Sequence, residues 1–122
     1  SAAVKAPIDV LGLSNGARAG LTGFVAGLAR QPRVASRNVT VNNLLPGPFD
    51  TDRLRSNLAS QSQKSGQPID AVAEARRKLN PTQRFGTAEE FGAACAFLCS
   101  VHAGYITGQN LLLDGGAFGG TF

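Results

Sequence analysis

Two short apolar runs limit what this chain can build. Val39-Thr40-Val41-Asn42-Asn43-Leu44-Leu45 is β-branched and apolar and is stopped by Pro46-Gly47-Pro48, while Gln109-Asn110-Leu111-Leu112-Leu113 is closed by Asp114-Gly115-Gly116. The sequence between them reads as helix and polar loop, so no hairpin joins the two strands. A long helical connection is a crossover, and it predicts that the strands lie parallel in one sheet of an α/β fold.

The helices are marked by spacing and by caps. Ala17, Leu21, Phe24, Val25 and Leu28 recur at helical intervals and predict a helix from Ser14 to Arg30, with Ser14 or Asn15 as N-cap and Pro32 beyond the end. Thr51 or Asp52 caps a helix to about Gln61. A polar, mobile stretch is expected from Ser60 to Pro68, then an amphipathic helix from Ile69 to Leu79. Thr87-Ala88-Glu89-Glu90 has the form of a capping box and opens an apolar helix to about Ser100. Cys95 and Cys99 lie four apart on that helix and are expected to be buried thiols.

With 122 residues, 43% of them hydrophobic and 16% charged, the chain can fill one core. Its 15 Gly and 6 Pro follow no fixed period, which excludes a collagen-like fibre. No apolar run approaches the roughly 20 residues that span a bilayer, and no basic start precedes an apolar signal segment. A soluble cytoplasmic protein without membrane contact is the expectation. The net charge of +4 and pI near 9.7 raise the question of nucleic acid. Arg53, Arg55, Arg76, Arg77 and Lys78 are, however, interleaved with Asp52, Asp70 and Glu74, the pattern of a solvated helix face, so no nucleic-acid partner is expected. His102, the single histidine, reads as a solvated loop residue, and no metal site is expected. The chain contains no Met and opens as though in the loop after a strand, which predicts a piece of a longer protein.

Four segments taken together resemble the C-terminal half of a short-chain dehydrogenase/reductase. They are Gly20-Leu21-Thr22 with Leu28-Ala29, Val41 to Thr51 through Pro46-Gly47-Pro48, Arg84 to Glu90, and Tyr105-Ile106-Thr107-Gly108-Gln109 running to Asp114-Gly115-Gly116. The resemblance covers almost the whole chain. It implies that residues 1–122 are the C-terminal fragment of a single Rossmann-like oxidoreductase domain, contributing two strands of a doubly wound parallel sheet and the helices on them. It also implies a nicotinamide cofactor, NAD or NADP, whose Gly-rich binding half lies outside these residues. The substrate would be a small carbonyl or alcohol, as in 3-oxoacyl reduction, and the assembly a homo-oligomer, dimer or tetramer. The alternative is a nucleotide-binding pseudoenzyme or a structural protein without catalysis.

The resemblance carries site residues with it. In that alignment the family's catalytic Tyr falls at Leu11 and its Lys at Asn15, so the phenol and the ammonium that tunes it are both missing and the fragment alone is expected to be inactive. Asn15 keeps the ability to hydrogen-bond a ribose hydroxyl. Ser14 and Arg18 lie four apart and share a helix face, so Arg18 could supply the charge and Ser14 or a water the proton; a cap at Ser14 and a surface or phosphate-facing Arg18 are the plain alternative. Ser1 stands where the family has its substrate-orienting Ser, and a chain end is the other reading. Pro46, Gly47 and Thr51 match the turn that contacts nicotinamide carboxamide and pyrophosphate, although any strand-ending turn with a helix cap would look alike. Tyr105, Asn42 and Asp114-Gly115-Gly116 correspond to structural positions.

Overall fold

The computed structural model describes residues 1–121. A 3₁₀ turn at Ala2–Val4 and another at Asp9–Leu11 lead into α1 (Gly12–Ala29), followed by the single turn α2 (Pro32–Ala35) and β1 (Asn43–Pro46). Then come α3 (Asp52–Ser65), α4 (Ile69–Lys78), α5 (Ala88–Leu98), a 3₁₀ turn at Val101–Ala103, and β2 (Asn110–Leu113). The two strands pair in parallel, Asn43 with Asn110 through Pro46 with Leu113, as the helical crossover requires. The fold is thus a mixed α/β arrangement around a two-stranded parallel sheet.

Both strands are shorter than their apolar runs. At the entry to β1 side chains take over from the ladder: the Val41 N–H donates to Thr107 Oγ1 at 3.1 Å, Asn42 Nδ2 donates to the Ile106 carbonyl at 2.8 Å, and the Gln109 N–H donates to Asn42 Oδ1 at 3.0 Å. Gly108, with φ of 69°, makes the bend that this bridging needs. Within the ladder Asn43 Nδ2 donates to Asn110 Oδ1 at 2.9 Å and locks the register.

The helix starts differ from expectation at α1 and agree elsewhere. Leu11, not Ser14 or Asn15, is the N-cap, with no side-chain cap bond, because the 3₁₀ turn before it runs directly into the helix. Thr51 caps α3 by accepting from the Leu54 N–H. The stretch expected to be mobile is helical as far as Ser65. Gly66, in the left-handed region at φ 69°, ends α3, and Ser62 Oγ donates to the Gln67 carbonyl at 2.6 Å. The capping box forms: Glu90 N–H donates to Thr87 Oγ1, and Thr87 N–H donates to Glu90 Oε2.

Burial is divided between two places. Ala3, Val25, Ala29, Leu45 and Ala103 are buried around the sheet, while Leu58, Val72 and Ala73 form a separate cluster between α3 and α4, supported by Leu54 and Phe85. The expected apolar face of α1 is largely uncovered: Leu21 is 59% exposed and Phe24 66%, and only Val25 of the five spaced residues is buried. Two strands are too narrow to cover it. Cys95 and Cys99 are likewise exposed, contrary to expectation, since no residue of α5 is buried.

The box at Thr87 is reinforced by Arg84, whose guanidinium grips Glu90 through two hydrogen bonds of 2.8 and 2.5 Å. Chiefly that grip, and next the Thr87 N–H, pull the Glu90 carboxyl from 4.5 to about 2. A depressed carboxyl pKa contributes stability that is complete above the ordinary value and is lost as pH falls through the depressed one. Thermal melts should therefore show wild type losing stability between pH 4.5 and 2, and Glu90→Gln, already weaker at pH 7, should lose less across that window. Parallel pH profiles for the two proteins would refute the assignment.

Candidate functional site

The C-terminal end of the β1–β2 pair is where an open parallel sheet presents its ligands, and three candidate residues stand there. Pro46 closes β1 opposite Leu113. The Gly47 N–H donates to the Leu113 carbonyl at 2.9 Å, extending the ladder by one bond. A Cβ on Gly47 would come within 2.7 Å of Asp114 Cβ and 2.8 Å of its Cα, so glycine is a packing requirement at this position. Thr51 uses its hydroxyl oxygen to cap α3, which leaves the hydroxyl proton free to donate outward. The turn between them is braced. Phe49 bridges Gly86 in parallel fashion, the Asp50 N–H donates to the Gly86 carbonyl at 2.8 Å, and the Phe49 ring meets Phe91 edge to face at 5.6 Å.

The other candidates gather on the first turns of α1. Asn15 Nδ2 donates to the Ile8 carbonyl at 2.8 Å, which ties the second 3₁₀ turn to the helix, and its Oδ1 is a buried acceptor without a protein partner. Leu11 is exposed and offers no proton. Ser14 and Arg18 are half-buried on one helix face, and Arg18 forms no ion pair among the described residues. Ser1 caps the first 3₁₀ turn by accepting from the Ala3 N–H. That turn packs against both α1 and β1. Ser1 thus stands on a turn packed against α1, the helix that carries Ser14 and Arg18, while Asn15 is committed to the Ile8 turn.

A cleft of about 320 Å³ opens beside the same strand ends, between Phe49, Arg84, Glu90, Leu112 and Gly115. Its polar groups are spent on one another. Arg84 holds Glu90, and Asn80, 4% exposed, donates Nδ2 to the Asp114 carbonyl at 2.6 Å while accepting from Thr82 N–H and Oγ1 at 3.1 and 2.7 Å. Asn80 is the residue that sequence reasoning missed. Its only signal was an Asn before Pro81, which reads as a helix stop. Tyr105 is fully exposed and remote from these groups in sequence. The basic residues of α3 and α4 are partly neutralised: Arg55 pairs with Asp50 at 3.0 Å and Asp52 at 3.3 Å, and Arg77 with Glu74 at 3.1 Å. Among the described residues no three His, Cys, Asp or Glu side chains converge as metal ligands, and no helix is long and apolar enough to cross a membrane.

Comparison with known proteins gives consistent matches. Residues 2–117 match a family model described as enoyl-(acyl carrier protein) reductase. The chain is 42% identical over 102 residues to the 3-oxoacyl-[acyl-carrier-protein] reductase FabG of Salmonella typhimurium, covering 84% of this chain and 36% of that protein. It is 39% identical over 85 residues to the NADPH-dependent reductase BacG of Bacillus subtilis, covering 70% of this chain and 33% of that protein. The chain therefore spans about a third of the length of these curated relatives. Among solved structures it superposes on YwfH, an NADPH-dependent reductase involved in bacilysin biosynthesis, with a TM-score of 0.85 at 32% identity, covering 96% of this chain and 44% of that one. A short-chain dehydrogenase family protein from Francisella tularensis gives 0.75 at 28%, covering 86% and 41%.

The close approach at Gly47 has a direct consequence. Gly47→Ala should destabilise the fold by about 1–3 kcal/mol through overpacking against Asp114, whereas Gly92→Ala in α5, where an added Cβ meets nothing within 4 Å, should be neutral or stabilising. Denaturant midpoints of the two variants check this, and equal midpoints would show that the turn yields freely.

Proposed function

Since the chain belongs to the short-chain dehydrogenase/reductase family, we propose that it forms the C-terminal part of a Rossmann-like domain that catalyses NAD(P)-dependent carbonyl reduction, or the reverse alcohol oxidation. The observation that carries this reading is the identity of 42% to a 3-oxoacyl reductase across 102 residues, 84% of the chain. A 3-oxoacyl-like substrate is the corresponding choice. The relatives' names speak for a reductase over a nucleotide-binding protein without catalysis, and two of them specify NADPH.

The residues present fit such a cofactor at two points. The free Thr51 hydroxyl proton suits a carboxamide or pyrophosphate oxygen, with Pro46 and Gly47 holding the turn against β2. Asn15 contributes an acceptor that lacks a protein donor, suited to a ribose hydroxyl. A bound nicotinamide supplies the hydride chemistry, and the chain's residues supply orientation, charge and proton transfer. Leu11 cannot move a proton, and the Asn15 amide is engaged with Ile8, so neither replaces a Tyr–Lys pair. Ser14 and Arg18 replace it. A guanidinium keeps its proton, so Arg18 acts as a fixed cation that stabilises the developing alkoxide, and the Ser14 hydroxyl passes on a proton drawn from water. Ser1 orients the carbonyl from the neighbouring turn.

Assembly completes the proposal. Helix α1 and the edge of β2 are the elements through which copies of the parent protein pair. Sedimentation of the parent protein should give a dimer or larger assembly, and a compact monomer across micromolar concentrations would overturn that part.

In the complete protein Arg18→Ala should lower kcat by on the order of 10², the worth of a lost oxyanion stabiliser. Arg18→Lys, which keeps a cation, should retain most activity. Turnover of a 3-oxoacyl thioester followed by NADPH absorbance decides the matter: an Arg18→Ala enzyme as fast as its parent rejects Arg18 as the charge, and no oxidation of NADPH by the wild type with a carbonyl panel rejects the reductase.

A further inference from the structure

The segment after β2 does not trail away from the fold. Gly115 and Gly116 adopt φ of 66° and 83°, left-handed values that turn the chain back on itself, and both carboxylate oxygens of Asp114 hold the turn. Oδ1 accepts from the Gly116 N–H at 2.9 Å and Oδ2 from the Phe118 N–H at 2.8 Å. The root of this turn is rigid. Asn80, almost wholly buried, binds the Asp114 carbonyl, and a Cβ on Gly115 would meet Thr82 Oγ1 at 2.6 Å and Asn80 Oδ1 at 2.7 Å. Asp114 is thus fixed from below and fixes Phe118 above.

Phe118 is delivered to the other end of the chain. Its half-buried ring lies under the Lys5 ammonium, 5.7 Å from Nζ to centroid. Lys5 forms no ion pair among the described residues, and the ring face is the partner the geometry gives its charge. Lys5 is also the C-cap of the 3₁₀ turn whose N-cap is Ser1, with its N–H donating to the Ala2 carbonyl at 2.9 Å. The same turn carries buried Ala3 and packs on α1 and β1. An unbroken series of contacts runs from Asn80 through Asp114, Phe118 and Lys5 to Ser1.

We infer that residues 114–118 form a strap that clamps the Ser1–Lys5 turn, with Phe118 and Lys5 as positioning residues for the substrate-orienting hydroxyl of Ser1. The role of Ser1 rests on the proposed reductase reading, while the clamp itself does not. A cation over a phenyl ring holds the turn without a covalent or ionic tie, so either half of the contact can be replaced by a group of the same kind. Phe118→Tyr and Lys5→Arg preserve it. Phe118→Leu and Lys5→Gln remove it, and because Lys5 is only partly buried, Lys5→Gln leaves the core untouched.

The test is amide hydrogen exchange over residues 2–6 in the complete protein, where the Val4, Lys5 and Ala6 N–H groups bond back to Ser1 and Ala2. Loss of the contact should speed exchange roughly two- to fivefold in Lys5→Gln and Phe118→Leu, with Lys5→Arg and Phe118→Tyr near wild type. Unchanged exchange in both disruptive variants overturns the strap. Steady-state kinetics with a carbonyl substrate supply the second readout: KM should rise by a similar factor in the disruptive variants, with NADPH affinity unchanged. Faster exchange with unaltered KM keeps the clamp and removes the role of Ser1. Faster exchange in a protein that never oxidises NADPH keeps the clamp and removes the reductase.

Discussion

Four residue pairs of parallel ladder do not hold a sheet by themselves, because each hydrogen bond contributes only about 1 kcal/mol net and isolated two-stranded sheets are marginal. Register in this chain is secured by side chains at three levels. Asn42 and Thr107 clamp the entrance, Asn43 and Asn110 pair in the middle, and Asn80 with Asp114 closes the exit. A slip of one residue would turn Leu45, which is fully buried, to the opposite face and break the links at the entrance and in the middle. The turn carrying Pro46, Gly47 and Thr51 inherits its position from that lock. Gly47 sits against Asp114 itself, so the candidate cofactor turn and the last strand are positioned as one unit.

What was legible in the sequence is what is decided locally. The Thr87 box and the Thr51 cap each follow from residues within a few positions of one another, and the parallel pairing follows from the helical patterning of the chain that joins the two apolar runs. The α1 start was misread because a preceding 3₁₀ turn can feed a helix without a capping side chain, and Ser14 and Asn15 then fall inside it. The extent of α3 was misread because Ser, Gln and Lys on a solvated face tolerate helix as readily as loop, and Gly66 decides the stop.

Burial was the least legible property. Leu21, Phe24, Cys95 and Cys99 lie on apolar helix faces, and periodicity alone assigns such faces to a core. Whether a core reaches them depends on how many strands lie beneath, and two strands leave them open. The residue that most firmly joins distant segments, Asn80, is polar and precedes a proline. Its three hydrogen bonds to Asp114 and Thr82 become visible only when the chain is folded.

The chemistry of the proposed site turns on replacing a titratable cation by one that does not titrate. A lysine beside a phenol tunes an acid, whereas a guanidinium holds its charge throughout the pH range in which the protein folds and can only stabilise negative charge or hold it in place. On this reading the proton and the charge come from different groups, a hydroxyl-linked water and Arg18. Their alignment must then be set by the scaffold, because neither group is strongly bound to the other. Two attachments of the turns preceding α1 do that work: Asn15 fastens the Ile8 turn to the helix start, and Phe118 holds the Lys5 end of the Ser1 turn. A site whose acid and cation are separate depends more on such ties than one whose tyrosine and lysine share a helix face.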